Sequence, residues 1–263
     1  MLLEVNGKQA YAYTGGKAFD ASLPAVAFVH GAQHDHSVWI MQSRYLAHHG
    51  YGVLALDLPG HGRSAGPALA RVEDIADWVA AAIAAAGAQQ AALVGHSMGS
   101  LIALECAARH RAQVAKIALL ATANPMKVSD ALLAATRDDE PAAQDMVTIW
   151  SHAAYAQYPS NPGPGFWVIG EYLRLMQRQK HGVMHVDFSA CNAYAGGAEA
   201  AAKVDCPALF VIAERDAMTP ARSARAFAQS VKGARVVGLD GSGHNMMGEQ
   251  PDAVLDALVA FLQ

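Results

Sequence analysis

Cysteine is scarce in this chain: Cys106, Cys191 and Cys206 lie far apart, with no C-x-x-C pair among them. That spacing excludes a disulfide framework or a cysteine zinc site and suits three small apolar fillers in a reducing compartment. Charge is sparse too, at 16% of residues, and the formal net charge of −4 comes with Lys and Arg scattered along the chain. Without a basic stripe there is no electrostatic footprint for nucleic acid. Long apolar runs are also missing. The most apolar stretch, Trp78 to Gly87, is mostly alanine, follows Glu73, Asp74 and Asp77, and is too short to span a bilayer. The opening residues Met1-Leu2-Leu3-Glu4-Val5-Asn6-Gly7-Lys8 lack the basic and apolar regions of a secretory leader. Cytoplasmic residence, with neither a membrane nor a nucleic-acid partner, is the expectation. What is abundant is apolar surface: 53% of the 263 residues are hydrophobic, which excludes disorder. A chain of this length buries about 70–75% of its unfolded surface in one large domain.

Asn6-Gly7 between Leu2 to Val5 and Gln9 to Tyr13 is a strong hairpin signal. Short apolar runs follow at Ala25 to His30, Gly52 to Asp57, Ala91 to His96 and Lys116 to Ala121. Each is too short for a helix and too continuous for a half-exposed strand, so they predict buried parallel strands. Helical stretches separate them at Val38 to His49, Val72 to Ala86 and Met98 to His110. The alternation predicts an α/β fold with a mostly parallel, doubly wound sheet. It resumes with a strand Ala208 to Ala213, a helix Pro220 to Val231, a strand Arg235 to Leu239 and a helix Pro251 to Leu262, with Pro in the first turn of both helices. Between Asn124 and Lys203 strand signals vanish, and Tyr158-Pro159-Ser160-Asn161-Pro162-Gly163-Pro164-Gly165 interrupts helical sequence. Residues 1–123 and 204–263 are therefore expected to form the core domain, and 124–203 an inserted helical cap with a Pro/Gly hinge.

Gly95-His96-Ser97-Met98-Gly99 lies between a strand and a helix, the context a G-x-S-x-G nucleophile turn requires. The glycines allow a sharp turn and close packing, so Ser97 is raised at a helix N-terminus where the Met98 amide can donate to a developing oxyanion. Val29-His30-Gly31-Ala32-Gln33 ends another strand, and the Ala32 amide is the expected second donor. Asp216, in Ala213-Glu214-Arg215-Asp216, is the expected orienting acid, with Glu214 its nearest substitute. His244, in the glycine-rich loop Asp240-Gly241-Ser242-Gly243-His244, is the expected base, and the chain order Ser, Asp, His agrees with it. His30, His34, Asp35 and His36 do not form an H-x-H-x-D-H run, so no metal site is expected. Gln33, His34 and His36, just past the oxyanion strand, are candidate substrate contacts. So are Trp150 and Trp167, drawn from the aromatic and Met side chains Met126, Met146, Trp150, Tyr155, Tyr158, Phe166, Trp167, Met176 and Met184, which form either an apolar pocket or the cap's own core.

Together these segments make the chain resemble the α/β-hydrolase superfamily, and within it the cap-bearing bacterial esterases, haloperoxidase-like enzymes and carbon–carbon bond hydrolases. The resemblance rests on His30-Gly31, Asp57-Leu58-Pro59-Gly60-His61-Gly62-Arg63-Ser64, the serine turn, Asp216, and Gly243-His244 with Glu249-Gln250-Pro251. It implies cofactor-free hydrolysis of a small-molecule substrate, by default a small to medium apolar acyl ester, through an acyl-enzyme on Ser97. A serine at the turn disfavours the related epoxide hydrolases and haloalkane dehalogenases, which use aspartate. Thioester or carbon–carbon cleavage on the same triad, and a non-catalytic ligand-binding protein on the same fold, are the alternatives.

Overall fold

The computed structural model describes residues 1–157 and 167–263. The whole of the expected Pro/Gly hinge, Tyr158 to Gly165, and Phe166 after it lie outside the described residues. The strands are β1 (Leu2–Val5), β2 (Lys8–Tyr13), β3 (Ala25–Val29), β4 (Gly52–Asp57), β5 (Ala91–His96), β6 (Val114–Leu120), β7 (Ala208–Ala213) and β8 (Arg235–Leu239). The helices are α1 (Ile40–His48), α2 (Val72–Ala85), α3 (Met98–Arg109), α4 (Asp130–Asp138), α5 (Glu140–Trp150), α6 (Val168–Gln177), α7 (Val183–Ala193), α8 (Gly197–Lys203), α9 (Ala221–Ala228), α10 (Met246–Glu249) and α11 (Pro251–Leu262).

The strands form one sheet in the order β1-β2-β4-β3-β5-β6-β7-β8. β1 and β2 are antiparallel, joined by the expected Asn-Gly turn, in which Asn6 (φ 52°) and Gly7 (φ 72°) are both left-handed. β2 also runs antiparallel to β4, and from β4 through β8 every pairing is parallel. The chain winds outward from β3 to β4, then restarts at β5 on the other side of β3. The carboxyl ends of β3 and β5 thus flank the topological switch point, the crevice where open α/β sheets bind ligands.

Both faces of the sheet are covered over its central strands, which is why β3, β4, β5 and β7 read as continuous apolar runs. Ala27, Val29, Leu54, Leu93, Ile117 and Phe210 pack with α2, α3 and α8 on one side. Val26, Phe28, Val53, Val94, Leu120 and Val211 pack with α1 and α11 on the other. Between β6 and β7 the described chain is helical and carries a third cluster, with Leu132, Val147, Tyr172, Met176, Met184 and Phe188 buried together. Met176 and Met184 thus belong to a core of that segment itself.

Three elements differ from expectation by two residues or more, each for a local reason. β6 starts at Val114, two residues before Lys116. Lys116 is carried inside the strand because its ammonium donates to the Phe261 and Leu262 carbonyls (2.9 and 3.0 Å) at the end of α11. The stretch from Val38 opens as a 3-10 turn, His36–Trp39, and becomes α-helical only at Ile40, because the Asp35 carboxylate accepts the Ser37 N–H at 2.9 Å and caps it early. α9 starts after Pro220, whose ψ of 134° is extended, and ends at Ala228. No helix of the described residues is long and apolar enough to cross a membrane.

Candidate active site

Ser97 sits between the last residue of β5 and the first of α3 with φ 53° and ψ −121°. Such a backbone costs a non-glycine residue about 1–3 kcal/mol and persists only where its surroundings enforce it. Here they do. The Ser97 N–H donates to the Leu120 carbonyl (2.9 Å), and the Ser97 carbonyl accepts from the N–H (2.8 Å) and hydroxyl (2.6 Å) of Ser100. A Cβ at Gly95 would collide with the Gly99 carbonyl oxygen, and one at Gly99 with that of Val29, so both flanking glycines are required by contact. Met98 is the first residue of α3, and its N–H has no partner within the helix. That amide sits at the positive end of the helix dipole.

The loop after β3 passes directly beside this turn. A Cβ on Gly31 would stand 3.1 Å from His96 Nδ1 and 3.2 Å from Ser97 Cβ. Ala32 then lines the same cavity as Ser97. His30 is structural: its Nδ1 lies 2.8 Å from the Gly31 carbonyl and its Nε2 accepts the Leu58 N–H at 3.1 Å. Full burial brings its pKa down to about 4, which keeps it neutral as that pattern requires.

Asp216 and His244 arrive from the ends of β7 and β8. Both are buried, and His244 Nδ1 lies 2.8 Å from Asp216 Oδ2. Oδ1 of the same carboxylate accepts the N–H groups of Met218 and Thr219, each at 2.8 Å, and Oδ2 accepts the Thr219 hydroxyl at 2.6 Å. Burial works to raise the Asp216 pKa, but the charge and hydrogen bond of His244 and the Thr219 donors outweigh it, and the pKa falls below the ordinary value. With Nδ1–H directed at an ionised carboxylate, Nε2 carries the lone pair. His96 Nε2 lies 2.9 Å from the His244 carbonyl, and burial drives its pKa well down, so as a neutral donor it holds the His244 backbone. Glu214, the substitute acid, instead pairs with Arg225.

Ser97 and His244 open into one cavity of about 350 Å³. Its walls include Ala32, Met126, Leu132, Trp150, Phe188, Cys191 and Met218, with Lys127, Ser129 and Thr219 as polar members. The Lys127 ammonium donates to the Asn192 carbonyl at 3.1 Å. Of the two tryptophans, Trp150, 36% exposed, lines the cavity, whereas Trp167 is 71% exposed and lies outside its lining.

Gln33, His34 and His36 are not brought to the cavity wall. Gln33, with φ 52°, gives its backbone N–H to Asp187 Oδ2 (2.8 Å) and its side-chain amide to Glu140 Oε1 (2.6 Å). His34 Nδ1 lies 2.7 Å from the Ala32 carbonyl, its ring rests 4.4 Å from that of Tyr172, and burial lowers its pKa to about 4. His36 Nδ1 lies 2.7 Å from Asp57 Oδ1 and its ring packs on Tyr11 and Tyr13.

Asp35, His36 and Asp57 are close enough, with donor atoms within 4.8 Å, to hold a metal ion. Their oxygens are already engaged by positive or N–H groups: Arg178 grips Asp35 at 2.7 and 2.5 Å, and Asp57 accepts from the backbone N–H groups of His36 and Arg63, each at 2.8 Å. Burial would raise the Asp35 pKa, yet Arg178 and Ser37 hold it well below the usual carboxylate range.

Thr219, His96 and Asp187 were not picked out by sequence reasoning. Thr219 carries a readable signal, an Asp-x-x-Thr turn in which the carboxylate accepts donors two and three residues ahead.

The fold is similar to that of the enol-lactonase from Burkholderia xenovorans LB400, with a TM-score of 0.87, 24% identity and coverage of 100% of this chain and 99% of that one. In sequence the chain is 27% identical to a bifunctional esterase/perhydrolase from Acinetobacter calcoaceticus, over 91% of this chain and 92% of the relative. It is 38% identical over 78 residues to an (E)-2-((N-methylformamido)methylene)succinate hydrolase from Acinetobacter baylyi, an alignment that spans 29% of each protein. A model of the alpha/beta hydrolase family matches residues 26–257, and the chain belongs to that family.

Proposed function

We propose that this protein is a serine hydrolase that cleaves a small to medium, apolar acyl ester through an acyl-enzyme on Ser97. The observation that carries the reading is the 2.8 Å Asp216–His244 contact in a mostly apolar cavity that His244 shares with Ser97 on its strained turn. His244 Nε2 takes the Ser97 hydroxyl proton as Oγ attacks the acyl carbon. The Met98 and Ala32 amides receive the oxyanion, and the imidazolium, held by Asp216, gives its proton to the departing alcohol oxygen. Water then attacks the acyl group by the same route, losing a proton to His244 and returning it to Ser97 as the acid leaves.

In this reading residues 124–203 are a helical cap over a core of 1–123 and 204–263, and Trp150 touches the acyl group. Esterase chemistry is favoured by the esterase/perhydrolase that aligns with nearly the whole chain. Cytoplasmic residence belongs to the same reading. It is supported by Cys106, Cys191 and Cys206, all of them free thiols, the state that a reducing compartment maintains.

The test is hydrolysis of p-nitrophenyl acetate and butyrate from pH 5 to 9 by the parent, Ser97→Ala, His244→Ala and Asp216→Asn. Activity that collapses in the Ser and His variants supports the ester reading. A parent inactive on both esters but labelled at Ser97 by a fluorophosphonate replaces the ester by a thioester or a carbon–carbon bond. Absence of both activity and labelling overturns the hydrolase reading in favour of a binding protein.

A further inference from the structure

We propose that Asp187, on α7, is a positioning residue for the oxyanion loop, so that the hydrolytic site is complete only while α7 is seated against the end of β3. The inference rests on the serine-hydrolase reading above.

Its basis is a single peptide unit. The Ala32–Gln33 peptide is held at both ends by buried side chains: its carbonyl lies 2.7 Å from His34 Nδ1, and its N–H donates to Asp187 Oδ2 at 2.8 Å. Fixing that plane restrains ψ of Ala32 and φ of Gln33, and hence the placement of Ala32, which lines the Ser97 cavity and whose amide is an oxyanion donor in the hydrolase reading. The Gln33 φ of 52° is disfavoured for a residue with a side chain, so the loop needs restraint from outside itself. It receives it from α5 and α7: Glu140 holds the Gln33 amide group, and Asp187 holds the Gln33 backbone.

Asp187 is in turn prepared for this task. It is 1% exposed, and its Oδ2 lies 2.8 Å from His61 Nε2. The other ring nitrogen, His61 Nδ1, lies 3.0 Å from the Pro59 carbonyl, so both nitrogens face oxygens and the imidazolium satisfies them together. Burial alone would lower the His61 pKa, but the Asp187 charge and hydrogen bond outweigh it and raise the value. One Asp187 oxygen, Oδ2, is thus shared between His61 and the oxyanion loop. Among the described residues Asp187 does not line the cavity, so it acts through the loop and not on the substrate. The next residue, Phe188, does line it, as does Cys191 on the same helix. Withdrawal of α7 would therefore open the acyl cavity and strip the Gln33 N–H of its acceptor in one movement.

The experiment compares the parent with Asp187→Ala and the isosteric Asp187→Asn, which keeps one oxygen acceptor for the Gln33 N–H. Melting curves establish that each variant is folded, and Asp187→Asn carries the test if Asp187→Ala does not fold. On a p-nitrophenyl ester turned over by the parent, Asp187→Ala is expected to lower kcat by about 10- to 100-fold, less than the roughly 10²–10³ for outright loss of an oxyanion donor. KM should stay within about threefold. Affinity for a trifluoromethyl ketone, which binds as a tetrahedral oxyanion, should fall by the same factor as kcat/KM. Asp187→Asn should recover part of both without matching the parent. Folded variants with the parent's kcat and ketone affinity overturn the proposal while leaving the hydrolase reading intact. So does a loss confined to KM. A parent without activity or Ser97 labelling overturns both.

Discussion

The Thr219 hydroxyl donates to Asp216 Oδ2 at 2.6 Å, and it is this same oxygen that lies 2.8 Å from His244 Nδ1. With two backbone N–H groups on Oδ1, the carboxylate has a fixed orientation before any substrate binds. Thr219→Val keeps the side chain's shape and removes one donor to an ionised group. A hydrogen bond of this kind contributes about 1.5–3 kcal/mol. Because three other contacts remain, kcat/KM on a p-nitrophenyl ester should fall by only about 3- to 10-fold. Asp216→Asn, which disturbs the His244 tautomer, should cost on the order of 10³–10⁴. Equal losses in the two variants would contradict this division of roles.

Glycines around the serine turn separate into two kinds. A Cβ on Gly99 would run into the Val29 and His30 carbonyl oxygens, backbone atoms of β3 and the residue after it that cannot give way. Gly99→Ala should cost more than about 3 kcal/mol, lowering Tm by roughly 6–12 °C in a domain of this size. A Cβ on Gly31 meets its neighbours at 3.1 and 3.2 Å, a contact that a small shift relieves. The shift falls on Ser97 and His96. Gly31→Ala should therefore hold Tm within about 3 °C while reducing kcat by roughly tenfold, since a displacement near the reacting atoms is costly. Calorimetry and ester kinetics on the two variants check the contrast.

What was readable in the sequence follows from how far each signal reaches along the chain. β4, β5 and β7 start and stop where expected, because strands buried on both faces must be apolar throughout and turn residues bound them; the edge strand β8, mostly exposed, also matches its expected bounds. The Ser97 turn was legible for a related reason: its strand, glycines and helix are contiguous. Asp216 and His244 were singled out by their position after β7 and β8, and the structure pairs them across 28 residues. The polar contacts of the loop after β3 left no such trace. Gln33 meets Asp187 across 154 residues and His61 meets Asp187 across 126, and a buried ion pair formed between distant segments has no periodicity to announce it. Gln33, His34 and His36 looked like substrate contacts because they follow the oxyanion strand. The structure turns them toward Glu140, Asp187, Ala32 and Asp57 instead.

Trp150 offers a test of the cavity that leaves the fold largely untouched. It lines the cavity that holds Ser97 and His244 while remaining 36% exposed, so its removal creates no sealed void. Burying a few methylenes of substrate against it is worth about 1–2 kcal/mol. Trp150→Ala should reduce kcat/KM for p-nitrophenyl butyrate or hexanoate by about 5- to 30-fold and for the acetate by much less. A uniform loss across chain lengths would place the indole outside the acyl path.

Glu249 ties the His244 loop to the end of α5: Oε1 accepts the Gly243 N–H at 3.1 Å and Oε2 the Ala153 N–H at 3.3 Å. Burial nonetheless raises its pKa from 4.5 to about 7 against those two donors. The native state therefore holds this proton more tightly than the unfolded chain does. Its contribution to stability is fully present below about pH 4.5 and is lost as the pH rises through about 7. Glu249→Gln is neutral at every pH and does not share the loss. The variant's Tm relative to the parent should accordingly become more favourable by roughly 3–8 °C between pH 5 and pH 8, on about 2–4 °C per kcal/mol for a protein of this size. The sign is the critical result, because an ordinary, ion-paired carboxylate would make the difference move the other way. Melting curves of both proteins at matched ionic strength decide it, and an offset that does not change with pH would show that Glu249 stays ionised throughout.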